Sequence, residues 1–279
     1  KNITLRSTYG AITSTGSSTL LGSVISDSGN LTLSGMSITG SVSTGGSLSL
    51  SSSSVSGNVS ANGGVTSSNA TVGGTLTSST GSISLTGGSV TGLVTSGCCT
   101  VTSSNTNLLG GARSNSSGLQ ISGGTLQGDF YANNNTATFT GVTMTSGSIS
   151  GASTVTITDS TIGSSSNSVN VTAVSGAVTL NNSTAFGALT APSYSTIYVN
   201  SPSKVYGTCI PNSTPANACQ SLSSLTCFND NFSSSLSNDW AVVSRSGSFG
   251  QPRVVNGRWR LTDDSNNVST AATLLRLIP

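Results

Sequence analysis

Chemistry at neutral pH draws on a short list of side chains, and this chain holds few of them. Its 279 residues include no His, nine Lys and Arg together, and seven acids. All seven are Asp (Asp27, Asp129, Asp159, Asp230, Asp239, Asp263, Asp264), and Glu is absent. Glycoside cleavage needs two carboxylates facing each other across the bond. Only Asp27, Asp129 and Asp159 precede Asp230, and Asp129 and Asp159 fall at unlike positions of the repeat described below. A uronate-cleaving site would need acids and bases together, whereas Lys1, Arg6, Arg113 and Lys204 are scattered. A serine nucleophile would lack its histidine base. No G-x-x-x-x-G-K-[ST] phosphate loop occurs. A net charge of +2 with dispersed Arg offers no basic stripe for a nucleic-acid backbone. The expectation is a non-enzymatic protein with no catalytic residue, cofactor, metal or nucleic-acid partner.

The five cysteines are Cys98, Cys99, Cys209, Cys219 and Cys227. None forms a C-x-x-C pair, and without His a zinc site is not expected. Cys209 and Cys219 flank a Pro- and Asn-rich stretch, where a disulfide would staple a segment without ladder support. Adjacent Cα atoms across a trans peptide lie about 3.8 Å apart, short of the usual disulfide range. Cys98 and Cys99 are therefore expected as one thiol in the core and one outside. An odd count leaves one sulfur without an assigned partner. The pattern favours an oxidising, extracellular compartment. The numbering is expected to begin after removal of a secretory signal, and no apolar run approaches the length of a membrane-spanning helix.

Other polar clusters have simpler readings than binding. The Asn-x-Ser/Thr sequons, such as Asn30, Asn58, Asn69 and Asn170, follow from the Ser/Thr content. Asp263, Asp264, Asn266 and Asn267 could offer oxygens to calcium, but read more simply as a solvated turn. Arg245, Arg253, Arg258 and Arg260 alternate with apolar residues as on a polar strand face. Trp240 and Trp259 could stack on sugars, but read more simply as core-packing residues. Thr136-Ala-Thr138-Phe-Thr140 and Thr154-Val-Thr156-Ile-Thr158 have the Thr-x-Thr form of an ice-binding array. The preceding coil offers Leu119-Gln-Ile121-Ser, so the array is expected to be two coils deep.

The apolar residues show what must position all of these. Ile38, Val55, Val72 and Val90 follow at steps of 17, 17 and 18, as do Val42, Val59, Leu76 and Val94. Gly40, Gly57, Gly74 and Gly92 keep the same steps. The first column continues at steps of 18 through Leu108, Leu126, Met144 and Ile162, beside a column of Ile121, Phe139 and Ile157. A disordered Ser/Gly tract has no reason to hold such phase, whereas a repeat needs few apolar residues per unit because neighbours complete the core. Within a unit, short alternating stretches broken by Gly, Ser and Asn read as strands and turns. The predicted fold is an all-β parallel β-helix (β-solenoid) with 17–18 residues per coil. Apolar spacings of 2, 5, 4 and 6 from Leu31 to Leu48, rather than a strict six, favour a right-handed winding. About eleven coils between Lys1 and Gly207 would give a rod on the order of 50 Å.

Register is lost near Lys204. Residues 208–227, with Pro211, Pro215 and three Cys, read as a Cys/Pro-rich junction or end cap. Residues 228–279 concentrate both Trp, five Arg and four Asp. Phe228-Asn-Asp-Asn-Phe, Leu236-Ser-Asn-Asp-Trp240 and the run Ser246–Leu275 resemble the opening of a concanavalin A/laminin-G-like jelly roll. More narrowly, they resemble the lectin-like segment of MshQ-type proteins, encoded with mannose-sensitive haemagglutinin type IV pili. The resemblance is specific over Cys227–Pro279 and compositional before it. It implies a Ser/Thr-rich solenoid stalk, a Cys-containing junction and the start of a lectin-like β-sandwich, taken as truncated at Pro279. It also implies an extracellular bacterial surface or pilus-associated adhesin, with cell-surface glycan or pilus subunits as partners. A passive spacer and an ice-binding solenoid are the alternative functions, and no ligand-binding residue is assigned.

Overall fold

The computed structural model describes residues 3–216 and 218–220, and beyond them the strand segments 240–244, 253–255, 258–260 and 272–276. The chain divides into two compact units, Lys1–Ser224 and Leu225–Pro279.

The first unit is a parallel β-solenoid of twelve turns. Its strands form three twelve-stranded parallel sheets, each taking every third strand of the chain. The first sheet runs from Leu5–Ser7 to Cys209–Ile210, the second from Ile12–Ser14 to Ser213–Thr214, and the third from Ser18–Leu20 to Cys219–Gln220. No helix occurs among the described residues. At the interstrand spacing of about 4.8 Å, the twelve rungs span roughly 50 Å.

The columns follow from alternation. In a strand, successive side chains point to opposite faces, so Val-x-Ser or Leu-x-Leu turns its odd members into the coil. Ile38, Val55, Val72 and Val90 are direct register partners in the third sheet, and Val42, Val59, Leu76 and Val94 are partners in the first. Ile121, Phe139 and Ile157 stack in the second sheet. All eleven residues are 0–2% exposed. Phe130 and Phe139, from two sheets of the same coil, meet edge-on at 5.7 Å and 85°. Their bulk is matched by Ala132 and Ala137 in their own strands and by Ala112 beneath Phe130, as interior packing density requires.

The turns impose their own column. Between the second and third sheets nine of the twelve coils pass through the left-handed region directly after the second-sheet strand, at Gly35, Ser52, Asn69, Gly87, Asn105, Gly123, Gly141, Asp159 and Asn182. Gly adopts that region at little cost and Asn or Asp tolerates it, so this position holds Gly, Asn or Asp in all of these nine except at Ser52. The Gly40–Gly57–Gly74–Gly92 column has a different cause. Each amide donates to the preceding Gly carbonyl at 2.8–3.2 Å, and a Cβ on Gly57 would lie 2.7 Å from the Gly40 carbonyl oxygen. Stacked turns this close exclude a side chain.

A buried hydroxyl ladder lines one inner corner. Ser26, Thr44, Ser78, Ser96 and Ser114 occupy the last inward position of the first sheet and are 0–4% exposed. Ser78 Oγ accepts from the Gly81 amide at 3.1 Å and is 2.7 Å from both the Gly63 and Gly81 carbonyl oxygens. Ser96 and Ser114 repeat the motif, accepting from Cys99 and Ser117 amides and donating one coil back to Gly81 and Cys99 carbonyls. These hydroxyls satisfy turn amides and carbonyls that would otherwise be buried without partners.

Two departures from the expected boundaries have local reasons. The stretch expected as an unladdered junction supplies the twelfth rung, with Leu189 paired to Cys209, Ile197 to Ser213 and Val205 to Cys219. Its coil is shorter, so its register is invisible to a fixed step. Upstream, Thr161–Ile162 and Thr184–Phe186 are separated by a longer coil that accommodates a turn closed by Ser164 and Asn167 backbone bonds.

In the second unit, Trp240–Ser244 pairs antiparallel with Ala272–Arg276, and Arg253–Val255 pairs antiparallel with Arg258–Arg260.

Candidate functional site

Among the described residues the three carboxylates, Asp27, Asp129 and Asp159, are kept apart. Asp27 follows a first-sheet strand and meets Arg6 of the preceding coil, with Arg6 Nη2 3.0 Å from Asp27 Oδ2. Both side chains are solvent-accessible, so the pair contributes little. Asp129 opens a first-sheet strand and accepts from Ser148 Oγ at 2.7 Å. Asp159 occupies the left-handed turn after the second sheet and accepts from Asn182 Nδ2 at 2.6 Å. Each acid therefore bonds a neighbouring rung, and Asp129 and Asp159 belong to different corners of the coil. Among the described residues no three His, Cys, Asp or Glu converge as a metal site.

The four cysteines among the described residues form two pairs. Cys209 and Cys219 are disulfide-bonded, with Cα atoms 5.9 Å apart. They join the last rung of the first sheet to the last rung of the third, and both pack against the core cluster. Cys98 and Cys99 correct the expectation of one inner and one outer thiol: the two are bonded to each other, with Cα atoms 3.7 Å apart. The pair lies in the turn between the first and second sheets, where no strand alternation separates the two side chains and both residues are half-buried. Cys227, Asp263, Asp264, Asn266, Asn267 and Arg245 lie outside the described residues. Trp240, Arg253, Arg258, Trp259 and Arg260 are described as strand backbone only. Arg253 faces Arg260 in register, Val254 faces Trp259 and Val255 faces Arg258.

The feature that sequence reading undervalued is the outer face of the second sheet. Its central outward column reads Thr32, Ser49, Thr66, Ser84, Thr102, Gln120, Thr138, Thr156 and Thr179, each the register partner of the next. The next outward column, two residues on, reads Ser34, Ser51, Ser68, Thr86, Ser104, Ser122, Thr140, Thr158 and Asn181. The Thr-x-Thr pairs are two coils deep, at Thr138/Thr140 and Thr156/Thr158, and counting Ser with Thr extends the hydroxyl array over many coils, with an interruption at Gln120. Its signal was present at the right step but was diluted by Ser in place of Thr. From Thr32 to Asn181 these two columns contain no charged and no aromatic residue. The first sheet differs, carrying Arg6, Arg113, Asp129 and Tyr131 at outward positions.

Cavities on this unit are shallow on the same face. One of about 300 Å³ is lined by Thr102, Gln120, Ser122, Thr138 and Thr140 among others, and one of about 260 Å³ by Asn30, Thr32, Ser47, Ser49 and Thr66 among others. A third, of about 470 Å³, lies at the last coils beside Lys204, Tyr206 and Pro215. Tyr206 stacks on Phe186 at 4.9 Å there. No helix of the described residues is long and apolar enough to cross a membrane. Protein-family models, curated proteins and solved structures yield no match to this chain.

Proposed function

We propose that this is a non-enzymatic extracellular protein of a bacterial surface or pilus, in which the solenoid is a rigid stalk and residues 228–279 open a carbohydrate-binding head. The observation that carries this reading is the separation of Asp27, Asp129 and Asp159, each tied to an adjacent rung rather than to a common cleft. Ladders of Ser, Thr and Asn suit a spacer, because most rungs present a similar hydroxyl-rich, hydrated surface and stability comes from contacts with nearest neighbours. A sugar site usually combines a concave surface with aromatic faces and a few placed polar groups. The Trp and Arg of residues 228–279, with their resemblance to a jelly-roll lectin of MshQ-type pilus proteins, supply those residue types. A right-handed winding belongs to the same reading. Partners would be cell-surface glycan or pilus subunits.

Glycan-array and cell-attachment measurements on the whole chain and on residues 1–224 test this division of labour. Attachment by the whole chain and none by residues 1–224 is the expected result. Equal attachment by both assigns adhesion to the solenoid, and no attachment by either leaves a passive spacer.

A further inference from the structure

We infer that the outward face of the second sheet binds ice, as a surface distinct from the head region and independent of the reading given to it. Three observations carry this. The two outward columns between Thr32 and Asn181 are in unbroken parallel register. They therefore form a two-dimensional array, spaced about 4.8 Å from rung to rung and about 6.7 Å from one outward residue to the next along a strand. Hexagonal ice repeats its oxygens at close to these two spacings on its prism face. The array is also neutral, as is the ice surface, and a hydroxyl both donates and accepts, as each lattice water does.

The second observation is that these hydroxyls are unspent. Side-chain bonds within the array are confined to its end and to Ser122: Asn181 Nδ2 reaches Thr158 Oγ1 at 3.4 Å, and Ser122 Oγ donates to the Ser103 carbonyl at 3.2 Å. The hydroxyls of Thr66, Thr102, Thr138, Thr140, Thr156 and Thr179 have no partner among the described residues. The buried Ser ladder of the first sheet is the contrast, since there each hydroxyl is committed to turn backbone.

The third is preorganisation. Thr is branched at Cβ and holds few χ1 states on a strand, so little side-chain freedom is lost on contact. Each hydroxyl contributes weakly, and a lattice engages many at once, which multiplies weak contacts as multivalent binding does. The densest part is Thr136–Thr140 with Thr154–Thr158, and Thr179 extends it by one coil. A sugar chain is the less suited lattice, because the face carries no aromatic ring from Thr32 to Asn181, and Tyr198, one rung beyond Thr179, stands only at its end.

Ice-affinity partitioning and thermal hysteresis on the whole chain test the inference. The wild type is expected to concentrate in slowly grown ice and to lower the freezing point below the melting point. Thr156→Tyr, which raises a ring above the array, is expected to abolish both. Thr77→Tyr, at an outward position of the first sheet, is expected to change neither. Far-UV circular dichroism on both variants separates misfolding from loss of contact, and Thr156→Asp, which places a charge on the neutral array at an outward position, serves as the second variant if Thr156→Tyr fails to fold, with loss of hysteresis expected. Exclusion of the folded wild type from ice overturns the inference. So does equal loss in Thr77→Tyr and Thr156→Tyr, and so does exclusion from ice combined with retention on crystalline cellulose or chitin, which would assign the array to a glycan lattice.

Discussion

Phe139 offers the sharpest test of the stacked core. It is fully buried between Ile121 and Ile157 and meets Phe130 edge-on at 5.7 Å. Phe139→Ala removes the ring and leaves a void. Phe→Ala in a core typically costs about 3–5 kcal/mol. The upper part of that range applies here, because the rungs above and below are held by continuous ladders and cannot collapse inward. Its Ala132 and Ala137 neighbours are too short to fill the gap. The lost edge-on contact adds about 0.5–1.5 kcal/mol, and that part should appear as coupling in the cycle with Phe130→Ala. Stability in a solenoid is a sum of nearest-neighbour terms, so the loss should be local. Amides of the Leu119–Ser122, Ala137–Thr140 and Val155–Thr158 strands should exchange faster while distant coils keep their protection. Urea unfolding followed by circular dichroism gives the total, and native-state hydrogen exchange gives the distribution. A cost below about 1 kcal/mol, typical of surface positions, or a loss spread evenly over all coils, would refute the packing described.

Ser78→Ala should destabilise by about 1–3 kcal/mol, since it removes the buried hydroxyl that bonds the Gly81 amide and the Gly63 and Gly81 carbonyls of a half-buried turn, whereas Ser84→Ala on the outer face should stay within about 0.5 kcal/mol; urea midpoints compare them directly. Peptide mapping without reductant should recover Cys209 joined to Cys219 and Cys98 joined to Cys99, and free alkylation of all four would contradict both bridges. Reduction of Cys209–Cys219 should cost on the order of 2–3 kcal/mol from so short a loop, with the loss concentrated in the last coils by hydrogen exchange.

Much of the solenoid is legible in the sequence because its coils keep a step of 17 or 18 over the middle of the chain. A constant step turns buried positions into visible columns, and Ile38 through Ile162 needed nothing more. After Ile162 the next column members are Ala185, Val205 and Cys219. There the step changes with turn length, and turns vary freely where strands cannot. The interior Ser ladder was hidden for another reason. Hydroxyls read as surface residues, yet Ser26, Ser78, Ser96 and Ser114 are buried because a turn amide three residues on needs an acceptor. Their recurrence at coil spacing was the available signal. The expectation of two separate thiols at Cys98 and Cys99 rested on the short Cα separation of neighbours, yet the turn joins them at 3.7 Å between Cα atoms. The outer Thr/Ser array was undervalued because Ser and Thr were counted as different letters, although both place one hydroxyl at the same point of the rung.

The most direct test removes one coil. Deleting residues 59–75 joins Asn58 to Leu76, which is the register partner of Val59, so every column closes with one rung fewer. A folded β-protein with undiminished attachment through residues 228–279 is the expected result. Deleting residues 59–67 instead cuts a coil in half and should abolish cooperative unfolding. A whole-coil deletion that unfolds the protein, or that keeps the fold but loses attachment, would contradict a register-locked stalk that serves as a spacer.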